Sequence, residues 1–449
     1  MGALPVKRIG VQADLEMGGC RMTTLIIFSA LIGLIMLGVP VAVAMGLTAV
    51  GTFLAMGHAD MLTMVAQRMY ASTTSFTLLA IPFFILAGNI MNTGGITDRI
   101  FRFARALVGH IWGGLGQVNV IASMIFSGMS GAAVADAAGL GMVEMKAMKD
   151  NGYDWRFSAA ITAASSTIGP VIPPSIPLVI YGYLTEVSVG RLFLAGVVPG
   201  ALMGLALMVA VYIVSRYRNY PRDKRAPIKE MLLSGKDAFL PLLTPVIIVG
   251  GILTGQFTPT EASVVACVYA LLLGLVVYRS IRIRDLPAIF WESLTHTVRI
   301  MFIISAAGFF GWLLILYRIP VQVINSLAVL SDNASVAMCI IIFILLIFGC
   351  FLEGIAVLLI TIPIFQKLIV HFAIDPVQFG VVMTLASMIG LLTPPVGMCL
   401  YAVSSITNLS IGDLTREIWP YLLGIFIVLL AVAFIPQISL WLPNLVMGQ

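Results

Sequence analysis

The sequence predicts an all-α polytopic membrane protein made of two inverted repeats, each carrying a re-entrant hairpin and a broken transmembrane helix. Three observations predict it. Hydrophobic residues make up 60% of the 449 and charged residues 10%, with a mean hydropathy of +1.06. A soluble chain of this size could not keep that much apolar surface from water. Apolar segments of roughly 20 residues recur along the whole length, as a bilayer requires. Finally, one interrupted stretch occurs twice, and the basic residues around its two copies are distributed differently.

The first copy is Ile168-Gly169-Pro170-Val171-Ile172-Pro173-Pro174-Ser175-Ile176-Pro177, inside the apolar run 157–184. A helix cannot pass through it intact, because each proline removes a backbone donor and clashes with the preceding turn. In hydrocarbon such a break survives only where it is buried in protein or lines a polar cavity. A packing kink is the simpler account, since Pro and Gly are common in membrane helices. The second copy argues against that account. It lies in 384–397 and ends Ile389-Gly390-Leu391-Leu392-Thr393-Pro394-Pro395-Val396-Gly397; Gly169 and Gly390, and the two Pro-Pro pairs, are both 221 positions apart. The same offset maps Ser166 on Ser387, Ile168 on Ile389 and Pro199 on Pro420. Paired broken helices in matching positions of two halves point to the binding site of a secondary transporter.

The formal net charge of +5 is small and calls for no nucleic-acid partner. The five cysteines (Cys20, Cys267, Cys339, Cys350 and Cys399) show no paired spacing, and four lie in apolar runs. They read as small apolar residues. His58, His110, His296 and His371 are scattered, so neither a metal cluster nor a His-based nucleophile is indicated, and no Gly-rich phosphate loop is present. An intramembrane enzyme would need such a constellation.

Taken in order, residues 1–21 are polar and carry Lys7, Arg8 and Arg21, which does not fit a secretory signal; they read as an N-terminal extension upstream of a possible start at Met22. The first repeat is 22–215. Its first crossing, 24–37, is broken by Gly38-Val39-Pro40, and 41–56 is the second. Residues 60–71 place Leu62, Val65 and Met69 at helical spacing, as in a short interfacial helix. The third crossing is 75–91, ending in the cluster Asp98, Arg99, Arg102 and Arg105. The stretch 108–145 has small residues in its middle, with Arg105 before and Lys146, Lys149 and Arg156 after. By the positive-inside rule both ends are cytoplasmic, so it is read as a hairpin with its tip near 127–131; two full crossings with a tiny outer turn is the other reading. The broken crossing 157–184 runs out and 192–214 returns, to the basic linker 216–238.

The second repeat, 239–449, retells the first. Segments 239–255 and 262–278 match the first two crossings, 285–297 the interfacial helix and 298–317 the third crossing. The hairpin counterpart is 334–365, with Phe348-Gly349-Cys350-Phe351-Leu352-Glu353-Gly354 at its tip, followed only by Lys367, His371 and Asp375. That weaker basic flank fits a hairpin entering from the opposite side. Segment 379–402 is the second broken crossing and 419–441 the last. The total is ten crossings and two opposed hairpins.

The chain resembles the large membrane subunit of TRAP (tripartite ATP-independent periplasmic) transporters, the DctM type. The resemblance covers residues 22–445 and rests on Gly38-Val39-Pro40-Val41-Ala42, on Leu79-Ala80-Ile81-Pro82-Phe83-Phe84-Ile85-Leu86-Ala87-Gly88, on 162–174, and on Leu392-Thr393-Pro394-Pro395-Val396-Gly397. It implies a non-enzymatic, elevator-type permease in the bacterial inner membrane. The coupling ion would be sodium, with no other metal or cofactor. A small four-helix membrane subunit and a periplasmic solute-binding protein would be its partners. The solute would be an organic acid such as a C4-dicarboxylate or sialic acid. A standalone sodium–dicarboxylate symporter of similar architecture is the alternative. At the first tip this chain reads Ser127-Gly128-Met129-Ser130-Gly131 where the family is often richer in Ser, and Glu353 stands where Asp is more usual.

On this reading Ser127, Ser130 and Gly131, with Gly169 and Pro173, frame one cation site through carbonyl and hydroxyl oxygens. Gly349 and Cys350, with Gly390 and Thr393, frame its inverted partner. Asp136, Pro174, Glu353 and Pro395 are assigned to the solute; intramembrane acids are functional candidates by default, though Asp136 and Glu353 would equally cap a broken helix or pair with a nearby hydroxyl.

Overall fold

A computed structural model describes residues 22–130, 133–330 and 333–448; the N-terminal extension and Gly131 therefore lie outside the described residues. The secondary structure described is helical throughout. Eight helices among the described residues are long and apolar enough to cross a membrane: Phe76–Thr93, Val189–Tyr217, Ile228–Leu253, Pro259–Val277, Ile283–Leu316, Ala334–Phe351, Gly354–His371 and Ile411–Phe434.

This differs from the ten crossings read from the sequence, for a physical reason. Where Gly38, Pro40 and the Pro-Pro pairs cut the chain, the pieces are short: Met22–Met36, Val41–Ala55, Ile176–Thr185, Pro376–Gly390 and Met398–Thr407 have only 10–17 residues. At 1.5 Å per residue, none matches a hydrocarbon core about 30 Å thick. Elsewhere helices run on where no breaker stops them. The expected interfacial helix and crossing of the second half are one helix, Leu286–Leu316, with neither Gly nor Pro between Pro287 and Gly308. Ile228–Leu253 begins inside the basic linker, directly after Pro227. The last segment is instead cut by Pro436 into Ile411–Phe434 and Pro436–Met447.

The polar stretch after Phe76–Thr93 forms its own helix, Ile96–Val108, started by Gly95 in the left-handed region. Ile96, Ile100, Ala104 and Val108 are buried at four-residue spacing, and Arg102 and Arg105 are exposed. The predicted interfacial segment is a 3-10 helix, Ala59–Met64, passing into Val65–Ala71, with no buried residue in either.

Two compact units divide the chain. The first comprises 22–75, Arg299–Asn333 and Leu359–Phe372. Its core is aromatic: Phe53 lies 5.8 Å from the Phe309 ring and 5.3 Å from that of Trp312. Ser305 Oγ donates to the Met69 carbonyl at 3.0 Å. The second unit, Phe76–Val298, Ala334–Leu358 and Ala373–Gln449 as far as residue 448, contains both Pro-Pro stretches. Its centre is formed by two helices buried on every side, Trp155–Ser166 from Phe157 onward and Pro376–Gly390 from Val377 onward. Neither carries a charged residue in its buried part, which is the composition such a position demands.

Candidate functional site

Each central helix starts on an aspartate 221 positions from the other. Asp154 accepts from the Arg156 N–H at 3.1 Å, and Asp375 from the Val377 and Gln378 N–H groups at 2.8 and 3.0 Å. Such caps satisfy donors that a helix start leaves unpaired. Trp155–Ser166 stops before Gly169-Pro170, and the chain resumes as Ile176–Thr185, capped by Ser175, whose Oγ accepts from the Leu178 N–H and donates to the Pro170 carbonyl. Pro376–Gly390 stops at the second copy and resumes as Met398–Thr407. The Pro173-Pro174 and Pro394-Pro395 peptide bonds are both cis.

The two interrupted helices lie alongside one another in opposite directions. Trp155, at the start of the first, donates its indole N–H to the carbonyl of Thr407, at the end of the second, at 3.1 Å. Tyr181, late in the first, donates its hydroxyl to the carbonyl of Pro376, at the start of the second, at 2.7 Å. At the level of the breaks, Ser166 Oγ is 3.8 Å from Cys399 Sγ. The breaks differ in access: Pro173 and Pro174 are buried, whereas Pro395 is exposed and Pro394 and Thr393 are half-buried.

On the first-half side, Gly114–Ser130 and Leu140–Asp150 flank the short helix Ala133–Ala138 and pack on Trp155–Ser166. Ser127 and Ser130 end the first of these helices, but their side chains, like Gly131, are outside what is described. Asp136 is buried, 9% exposed, and lies against Gly169; a Cβ on Gly169 would stand 2.9 Å from Asp136 Oδ2. The structure therefore brings together Asp136 and Gly169, which the sequence reading had given different roles.

A polar cluster lies behind them that sequence reasoning missed. Asn119 Nδ2 donates to Glu144 Oε2 at 2.6 Å and to Thr162 Oγ1 at 2.8 Å, and Ser165 Oγ donates to Asn119 Oδ1 at 2.6 Å. All four residues are 0–1% exposed. Glu144 Oε1 has no hydrogen-bond partner among the described residues. The signal in the sequence is slight: one acid between Val143 and Met145, and one amide between Val118 and Val120.

On the second-half side, Ala334–Phe351 packs on Pro376–Gly390 so closely that backbone meets backbone. A Cβ on Gly349 would stand 2.8 Å from the Gly390 Cα and 3.3 Å from the Ser387 carbonyl oxygen. Only glycine fits on both sides. The Cys350 carbonyl accepts from the Gly397 N–H at 3.1 Å, the Gly390 carbonyl from the Thr393 N–H at 2.9 Å, and Thr393 Oγ1 donates to the Ile389 carbonyl at 2.8 Å. Gly349, Cys350, Gly390 and Thr393, grouped from sequence, are thus grouped in space. Glu353 sits directly before the helix Gly354–His371, where a carboxylate is favoured, and its carbonyl accepts from the Val357 N–H.

One small cavity is bordered by residues next to both breaks. It is lined by Ala133 and Val134, by Pro170 and Pro177 of the first break, by Glu353, Gly354 and Ile355, and by Met388 and Leu391 of the second break. It offers about 20 Å³, room for one water-sized occupant, and among the described residues its lining carries no cationic side chain. Glu353 is the assigned residue on its described lining; Asp136, Gly169, Pro173, Pro174, Gly349, Cys350, Gly390, Thr393 and Pro395 are not on it.

Eight long apolar helices among the described residues, together with a buried pair of interrupted ones, define a multi-pass membrane protein. Residues 28–438 match the family model of the tripartite ATP-independent periplasmic transporter, DctM component, and the chain belongs to that family of large permease subunits. It is a transport protein of the inner membrane and not an enzyme. The sialic acid TRAP transporter large permease protein SiaM of Vibrio cholerae is 45% identical over 417 residues, covering 93% of this chain and 97% of that protein. The C4-dicarboxylate TRAP transporter large permease protein DctM of Pseudomonas aeruginosa is 41% identical over 385 residues, covering 86% and 90%. Among solved structures, the YdaH transporter of Alcanivorax borkumensis shares the fold at a TM-score of 0.58 and 12% identity, over 86% of this chain and 89% of that one.

Proposed function

We propose that this chain carries an organic acid, a C4-dicarboxylate, sialic acid or a related carboxylate, inward across the membrane in exchange for the energy of a sodium gradient. The solute is delivered by a periplasmic binding protein, and a small four-helix membrane subunit completes the permease. The relatives named for sialic acid and for C4-dicarboxylates support a carboxylate solute. The two interrupted helices and their hairpins are inverted repeats, the hairpins are re-entrant, and the unit that contains them moves as an elevator.

One observation carries this reading: two interrupted helices, antiparallel to each other, have their breaks on one cavity too small for a hydrated solute. Half-helix ends and the oxygens of an unwound backbone suit a hard cation, and Glu353 adds a carboxyl to the same lining. The residues present fit sodium in donor chemistry and in room. Gly349 and Gly390 keep the second hairpin against its break, and Asp136 performs the equivalent role at Gly169. The carboxylate solute is met by amino ends of half-helices.

Uptake in proteoliposomes, with both partner subunits and a panel of organic acids, tests the proposal. Transport should require a sodium gradient and ignore ATP. Uptake that continues unchanged in sodium-free buffer at fixed membrane potential defeats the coupling, and a solute without a carboxylate as the best substrate defeats the solute class.

A further inference from the structure

A second pocket, of about 500 Å³, opens where the basic linker meets the hairpin's first corner. It is lined by His110, Ile111, Trp112, Tyr212, Arg222, Asp223, Lys224 and Arg225, so three permanent cations face one acid. That acid is already neutralised: Arg105 holds Asp223 through two hydrogen bonds of 2.8 and 3.3 Å. Arg222, Lys224 and Arg225 form no ion pair among the described residues.

The linker is not a loose connector here. The Asp223 N–H donates to the Gly109 carbonyl at 3.0 Å, the Tyr153 hydroxyl donates to the Pro221 carbonyl at 2.7 Å, and the Tyr220 ring packs 4.6 Å from that of Phe157. The Arg222 guanidinium stacks over the Trp112 indole at 4.7 Å. Gly113, at φ +73°, turns the chain against Ser215 and Val211 with no room for a side chain, fixing the corner on the end of Val189–Tyr217. The cations therefore stand in a fixed concave frame, and concentrated unpaired positive charge in such a frame selects an anion.

The neighbouring helix says which anion. On Val189–Tyr217, Leu205, Val209 and Ile213 are 57%, 51% and 60% exposed and lie on one face, four residues apart. The same face continues into Tyr212, which lines the pocket, and Arg216, whose guanidinium donates to the Tyr212 hydroxyl at 3.3 Å. An apolar stripe about 12 Å long thus runs directly into a basic, aromatic-lined recess at a helix end. We infer that this pocket binds the phosphodiester headgroup of an anionic phospholipid, with its acyl chains along Leu205, Val209 and Ile213. Arg222, Lys224 and Arg225 receive the phosphate, and Trp112 and Tyr212 sit at headgroup level, where such rings are favoured.

Native mass spectrometry of the full chain in detergent, titrated with phosphatidylglycerol, phosphatidylcholine or glycerol 3-phosphate, tests this. Phosphatidylglycerol should bind at the lowest concentration. Arg222→Gln with Arg225→Gln should weaken it by about fivefold for each cation removed, Arg222→Lys with Arg225→Lys should retain it, and Arg284→Gln, outside the pocket, should change nothing. If the double Gln variant does not purify, Lys224→Glu serves in its place, with a loss at least as large. Equal binding of the two lipids, or wild-type affinity in the charge-removed variant, overturns the inference. So does glycerol 3-phosphate binding as tightly as the lipid, which would make this a site for a soluble phosphate.

Discussion

Trp155 and Thr407 are 252 positions apart, yet the indole N–H of one is bonded to the carbonyl of the other. The contact joins the start of one interrupted helix to the end of the other, and the Tyr181–Pro376 bond joins the opposite pair of ends. Trp155→Phe keeps an aromatic side chain but removes the N–H donor, leaving a helix-end carbonyl unpaired. The expected loss is about 1–2 kcal/mol of stability, measured by thermal unfolding in detergent. An unchanged midpoint would mean that the crossing is held elsewhere.

Gly349→Ala places a methyl 2.8 Å from the Gly390 Cα, so the helices must separate. Overpacking of this kind costs about 1–3 kcal/mol, and here it also shifts one wall of the proposed cation site. Sodium-driven uptake should fall at least tenfold while membrane insertion persists. Gly250→Ala, where nothing lies within 4 Å, is the matched control and should transport normally.

Asn119 donates to the carboxyl of Glu144, which has almost no exposure. Asn119→Leu should destabilise the chain by about 1–3 kcal/mol, because Glu144 then loses its hydrogen bond without regaining water. Adding Glu144→Met should recover part of that loss, since removing both partners is milder than orphaning one. A double-mutant cycle on unfolding midpoints reads the coupling; additive losses would show that the pair does not act as a unit.

Cysteines placed at Lys149 and Lys229 should react with impermeant reagent only from the cytoplasm, and one at His371 only from the periplasm. Labelling of the Lys149 position from outside would put the two ends of the first hairpin segment on opposite membrane faces, making it a single crossing, and remove the inverted-repeat arrangement.

The breaks were legible because Gly and Pro act locally. A reader of Pro173-Pro174 and Pro394-Pro395 needs no tertiary information to stop a helix there, and the 221-residue offset tied the pair together. Gly349 is grouped with Gly390 from sequence because the hairpin tip is set against its own half's broken helix; the close backbone approach between them is what the structure adds. What the sequence hid is tertiary. Nothing local reveals that Glu144 turns towards Asn119 and not towards the basic flank that follows it. Nothing local places Asp136 at Gly169, or Glu353 on a cavity shared with Pro170 and Pro177. The helix Leu286–Leu316 was cut too early for the opposite reason: its composition changes from polar to apolar near Thr297, but a change in composition is not a helix breaker.

The Trp155–Thr407 bond also sets a timetable. A ribosome adding about 5–20 residues per second makes Thr407 roughly 10–50 s after Trp155. For that interval the buried half-helix Trp155–Ser166 has no second interrupted helix to lie against. Its sequence is apolar enough to wait in lipid or in the insertion machinery, but the polar ends of its break are not. Biogenesis of this chain is therefore a problem of shelter as much as of insertion. A ribosome stalled before residue 376 should leave a nascent chain that protease or an amide-labelling reagent attacks around residues 167–175, and attack there should cease once the second copy has emerged.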